Sequence, residues 1–122
     1  MGKFIIRHVQ SGVKFDLKAG NGQTVLTSEV YTSEAACRKG IESVMKNAPI
    51  AKIENQTEEG WKIQTHPKFQ VYFDKKGACR FRLKARNGEI IAVSDSYSAK
   101  AGCLNGIESV KANAPGAQVI EG

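Results

Sequence analysis

At 122 residues, 41% of them hydrophobic and 25% charged, the chain has the make-up of a soluble globular domain, long enough to bury a core without metals or cross-links. The net charge of +6 favours acidic partners at long range. Three cysteines without a CxxC spacing exclude a disulfide framework and a zinc-finger site, and no apolar run nears the ~20 residues of a membrane helix. Free thiols, with an N-terminal apolar run of only three residues before Arg7, lead us to expect a cytoplasmic protein.

The elements occur twice, in the same order. A first strand starts at Phe4 and again as FQVYF (69–73), where apolar residues alternate with Gln70 and Tyr72. After the turn DKKG comes CRFRLKAR (79–86). Cys79, Phe81, Leu83 and Ala85 face one way, and Arg80, Arg82, Lys84 and Arg86 the other. Asn87-Gly88 is a tight-turn dipeptide, and EIIAVS (89–94) is a third strand. The period then becomes helical. Cys37, Ile41, Val44 and Ala48 recur on one helix face, repeated by Cys103, Ile107, Val110 and Ala114. Thr32 or Ser33 is the expected N-cap, with Ser98 its counterpart. Asn47 or Asn113 is expected in a left-handed closing position before Pro49 or Pro115. AKIEN and AQVIE read as short final strands.

Shifted by 66, residues 15–51 lie over 81–117 with 19 of 37 positions identical. Before Phe15 the shift is 65, so one extra residue sits in the loop around 75–79. Repeat unit one is 1–54, a polar linker is 55–66 and repeat unit two is 67–122, read together as one compact domain. The fold expected is α+β: two tandem βββαβ repeats related by a pseudo-twofold, with an antiparallel sheet and two packed helices.

The phrase FRLKARNG (81–88), then a strand, then YSAKAGCLNGIESVKANAP (97–115), resembles the YegP-like tandem-repeat family of bacteria, a family of unknown function. Unit two matches nearly throughout from 69 to 115. Unit one departs in its strands, with Asp16 where unit two has Arg82. The resemblance implies a βββαβ-type repeat in a soluble bacterial protein. It brings no activity, cofactor or catalytic residue.

The strongest chemical feature is the ladder Arg80–Arg82–Lys84–Arg86, with Lys75 and Lys76 in the preceding loop and Tyr72 beside it as a stacking platform. Such a face suits an acidic protein or a nucleic acid, and is equally the ordinary solvated face of a basic strand. The three cysteines read as core, and His8 and His66 as incidental, with no HxxxH or HExxH pattern. Glu42 and Glu108 are expected to pair with Lys46 and Lys111. Gly40 and Gly106 sit inside their helices, where close packing explains a residue that costs ~1 kcal/mol relative to alanine. Trp61 either covers a core edge or marks an interaction surface. No catalytic, cofactor or metal pattern is present. The expected function is therefore a small non-enzymatic binding or interaction module, acting as a monomer with an internal pseudo-dimer. The alternative is an enzyme or small-ligand-binding protein with its site at the repeat interface.

Overall fold

Strict alternation makes the strands. Along Cys79–Lys84, cysteine, phenylalanine and leucine are buried while Arg80, Arg82 and Lys84 stay half exposed. The structure, a computed structural model, describes residues 2–121. Unit one contributes β1 (Lys3–Val9), β2 (Gly12–Lys18), β3 (Thr24–Ser28), α1 (Glu34–Asn47), one 3-10 turn (Ala48–Ile50) and β4 (Lys52–Asn55). Unit two contributes β5 (Lys68–Phe73), β6 (Cys79–Lys84), β7 (Ile90–Val93), α2 (Lys100–Asn113) and β8 (Gln118–Glu121). Both units are thus βββαβ. No helix among the described residues is long and apolar enough to cross a membrane.

All eight strands form one sheet in the order β4-β5-β6-β7-β3-β2-β1-β8. At its centre Thr27 opposes Val93, its own counterpart under the shift of 66, so the pseudo-twofold runs through this rung. The sheet is mixed, which corrects the antiparallel expectation. β4 lies parallel to β5, and β8 lies parallel to β1. Each helix delivers its unit's last strand to the first strand of the other unit, and residues 56–67 carry the chain back from the end of β4 to the start of β5, the crossover that their parallel pairing requires. The units exchange their fourth strands.

Two cap expectations also change. Ser33 caps α1, its hydroxyl accepting from Ala36 N at 3.1 Å. In α2 that position is Ala99, with Ser98 one residue too early, and no side chain caps the helix. No described non-glycine residue has a positive φ, so neither asparagine closes its helix in the left-handed region. Instead Asn47 Nδ2 donates to Ser43 O (2.7 Å) and Oγ (3.0 Å), and Asn113 repeats this on Ser109 at 2.8 and 3.1 Å.

Both helices lie on one face of the sheet over a single core. Phe4, Phe15, Phe69 and Phe81 are fully buried, each such side chain stabilising by about 1.5–3 kcal/mol. The rings meet as a duplicated set. Phe4 and Phe15 are edge-on at 5.7 Å and Phe69 and Phe81 at 5.8 Å, while Phe15–Tyr31 and Phe81–Tyr97 stack at 6.3 Å. The mid-helix glycines belong to this set. A Cβ on Gly106 would lie 2.5 Å from Tyr97 Oη and 2.9 Å from Phe81, and one on Gly40 would collide with the Tyr31 hydroxyl. What approaches the helix is the tyrosine preceding it, with the strand phenylalanine, Phe15 or Phe81, close behind.

Candidate nucleic-acid interface

The face of the sheet away from the helices carries the charge. One row crosses all eight strands: Ile120, Ile5, Asp16, Thr27, Val93, Arg82, Gln70 and Glu54. Strands β2 and β6 run in opposite directions. Lys14 therefore comes level with Lys84, and Lys18 with Arg80, on either side of this row.

Of the predicted ladder, Arg80, Arg82 and Lys84 lie on this face, with Tyr72 directly across from Arg80. Arg86 does not, because β6 ends at Lys84 and the β6–β7 turn begins, with Ala85 N donating to Glu89 O at 2.9 Å. The bulge beside this turn places its extra residue, Ile91, on β7, and Arg86, already in the turn, borders α1 beside Lys46 and Asn47. Lys75 and Lys76 border a shallow recess of about 340 Å³ with Tyr72, Asp74 and Arg80.

Two members of the ladder are already engaged. Arg80 Nε donates to Asp74 Oδ2 at 2.9 Å, and this contact holds the Asp74 carboxyl below its usual range. Arg82 Nε donates to Gln70 Oε1 at 2.7 Å, and its guanidinium lies 4.7 Å from the Tyr72 ring centroid. One face of Tyr72 is therefore taken by a cation–π contact. In unit one, Asp16 is held by Arg7 Nε at 2.6 Å and Thr27 Oγ1 at 2.9 Å.

The most deeply buried charged group is Glu54, 2% exposed. It accepts from Lys68 Nζ (2.6 Å), Gln64 N, Gln56 Nε2 and Gln70 Nε2 (each 2.8 Å). Burial raises its pKa, but the Lys68 ammonium and the three amide donors outweigh that and bring it down to about 2. Gln56 and Gln64 come from the linker, which these bonds tie onto the β4–β5 edge. At the opposite edge Ile120 and Ile5 stand in the positions of Glu54 and Gln70.

Asp16, Glu54 and Asp74 are thus each held by internal donors. Lys3, Lys14 and Lys18 of unit one and Lys75, Lys76 and Lys84 of unit two have no ion pair among the described residues. Sequence reasoning overlooked the unit-one lysines because Asp16 broke the pattern. Only the cross-strand register, Lys3 opposite Lys18 and Arg7 opposite Lys14, gathers them.

The remaining expectations resolve individually. All three cysteines are buried, and burial followed by the neighbouring Cys79 thiol pushes Cys103 up to about 12. Lys111 Nζ donates to Ala51 O at 2.9 Å and leaves Glu108 unpaired by it. Trp61 is 43% exposed beside Ile53 of the edge strand β4. His8 approaches Glu34 at 3.7 Å, and with Glu121 these groups lie within 4.8 Å of one another. Topology alone joins them, from β1, α1 and β8. Arg38 supplies the counter-charge at 3.1 Å from Glu34 and 3.9 Å from Glu121.

The profile of the family described as "Domain of unknown function (DUF1508)" matches residues 11–55 and 74–121, one segment in each unit. The chain belongs to this family. Proteins similar to it include a UPF0339 protein of Stutzerimonas stutzeri, 38% identical over 122 residues, covering 98% of this chain and 96% of that one. A UPF0339 protein of Treponema denticola is 63% identical over only 54 residues, 44% of this chain but 93% of that protein. Among solved structures, a UPF0339 protein of Shewanella oneidensis superposes with a TM-score of 0.80 at 34% identity, covering 98% of this chain and 90% of that one. YegP from E. coli, described as a protein of unknown function, gives 0.78 at 36%, covering 98% and 91%. The YegP-like family resemblance and the α+β fold are therefore established, and the family brings no assigned function.

Proposed function

We propose that the chain is a non-enzymatic binding module that takes single-stranded nucleic acid across the outer face of its sheet. The observation that carries this reading is the sorting of charge on that face. Asp16, Glu54 and Asp74 are each held by internal donors, while six lysines from both units have no counter-charge among the described residues. Strands are spaced about 4.8 Å apart, so Lys14 and Lys84, three strands apart, stand roughly 14 Å from one another. That spread suits an extended polyanion better than a single anionic group. The free side of Tyr72 adds a surface on which a base can stack. Arg80 and Arg82 serve as the rigid floor, and Lys14, Lys18, Lys75, Lys76 and Lys84 are the mobile contacts with phosphate.

The test is a fluorescence-anisotropy titration of short single-stranded oligonucleotides at several salt concentrations, with backbone amide shifts recorded alongside. Binding should weaken steeply with salt, and shifts should concentrate at Tyr72, Lys75–Lys76 and residues 80–84. Replacing Lys14 and Lys84 by glutamine should lower the slope of log K against log salt by about 0.7 per lysine. An unchanged slope in that variant would overturn the reading. So would equal affinity for a polyglutamate of matched charge, which would point to an acidic protein instead.

A further inference from the structure

The β6–β7 turn that removes Arg86 from the outer face delivers it to another place. Between α1 of unit one and the β6–β7 turn of unit two lies a recess of about 470 Å³, bordered by Ser43, Lys46, Asn47, Arg86 and Asn87. A second recess of about 410 Å³ shares Ser43 and Asn87 and extends the groove along α1 to Lys39. Lys39, Ser43 and Lys46 are spaced i, i+4, i+7, one face of the helix. At 1.5 Å per residue the two lysines are about 10 Å apart along its axis.

The donors in this groove are free to act. Lys39, Lys46 and Arg86 have no ion pair among the described residues. Ser43 Oγ already accepts from Asn47 Nδ2 at 3.0 Å, which leaves its own proton to donate. Asn87 Oδ1 accepts from Glu89 N at 3.0 Å, which leaves Nδ2 available in the same way. Glu89 borders only the second recess.

The protein contains its own control. Under the pseudo-twofold the frame of the groove is kept: Ser43 becomes Ser109, Asn47 becomes Asn113, Ala85 becomes Ala19 and Asn87 becomes Asn21. The cations are not kept. Lys39 becomes Asn105, Lys46 becomes Ala112 and Arg86 becomes Gly20. One polar frame is built twice, and all three positive charges are confined to one copy. Packing cannot require them, because the other copy folds without them.

We propose that this groove is a binding site for a small molecule bearing a di- or triphosphate, the phosphates lying along α1 from Lys46 and Arg86 toward Lys39. Two lysines set about 10 Å apart match a chain of phosphates better than one. The Arg86 guanidinium offers a fork for paired oxygens, and the Ser43 hydroxyl and Asn87 amide supply uncharged donors to the remaining ones. The site is distinct from the outer sheet face, which lies on the other side of the sheet.

The experiment is an amide-shift titration of the full chain with inorganic tripolyphosphate, with orthophosphate as the comparison. It is repeated on Lys46→Ala/Arg86→Gly, the residues the other copy already uses, and on the outer-face variant Lys14→Gln/Lys84→Gln. Saturable shifts should centre on residues 39–47 and 86–89, with tripolyphosphate at least tenfold tighter than orthophosphate. The groove variant should lose at least tenfold in affinity for tripolyphosphate and retain its binding of single-stranded oligonucleotide. The outer-face variant should do the reverse, so either site can fail without the other. The proposal is overturned if the shifts do not saturate, if they spread over the outer face, or if the groove variant binds tripolyphosphate as well as the parent chain.

Discussion

A methyl group at Gly40 or Gly106 would enter space held by a tyrosine ring that is itself stacked on a buried phenylalanine. On an open helix, glycine to alanine stabilises by about 1 kcal/mol. Here overpacking reverses the sign, and Gly40→Ala should cost about 1–3 kcal/mol in a urea unfolding experiment. Combining it with Tyr31→Leu, which removes the obstructing hydroxyl and ring edge, should cost less than the two changes added together. The periodicity of α1 reveals that Gly40 borders the buried stripe, and the repeat reveals that the position matters. Neither identifies Tyr31 as the neighbour. It lies outside the helix, and its approach depends on the bridge it forms with Val13 across the sheet.

At the scale of elements, strands and helices are readable from alternation and from the 3.6-residue period, since these follow directly from which side chains seek the core. Their ends are less so. Alternation carries the strand at Cys79 through to Arg86, but the turn already starts at Ala85, two residues before the Asn-Gly pair that marks it, and it moves one predicted site residue to a different surface. The linker reads as a polar connection, although Glu54 binds it to the sheet through Gln56 and Gln64. That latch has a pH dependence. The Glu54 pKa falls from 4.5 to about 2 on folding, so its contribution is complete above about pH 4.5 and is lost as the pH falls toward 2. The shift corresponds to roughly 3 kcal/mol. Urea midpoints should therefore decline between pH 5 and 2.5, and Glu54→Gln should flatten that decline. The same substitution leaves Lys68 buried without its partner, and should lower stability at neutral pH by about 3–5 kcal/mol.

At the scale of the whole molecule, the duplication is legible because 37 aligned positions carry it, and the pseudo-twofold comes with it. The exchange of fourth strands is not legible. A repeat specifies what each unit contains, but not which first strand receives each last one, and the core faces of β1 and β5 are too alike to decide. The exchange explains how a relative can match over little more than one unit's length. A chain consisting of residues 1–66 has a β4 with no β5 to join, and the nearest equivalent edge is β1 of a second copy. That fragment should sediment as a dimer whose mass falls on dilution, while the full chain keeps one mass throughout.

The two chain ends are neighbours of a particular kind. Lys3 opens β1 opposite Gln118, and Ile6 stands opposite Glu121 at the close of β8. Because the strands are parallel, tension applied at the two termini pulls β1 backward and β8 forward along the same line. All the rungs between them are loaded together in shear, and none can be peeled first. A protein drawn through a narrow pore or towed by its ends would meet its stiffest resistance at this four-residue seam, before the larger sheet behind it bears any load.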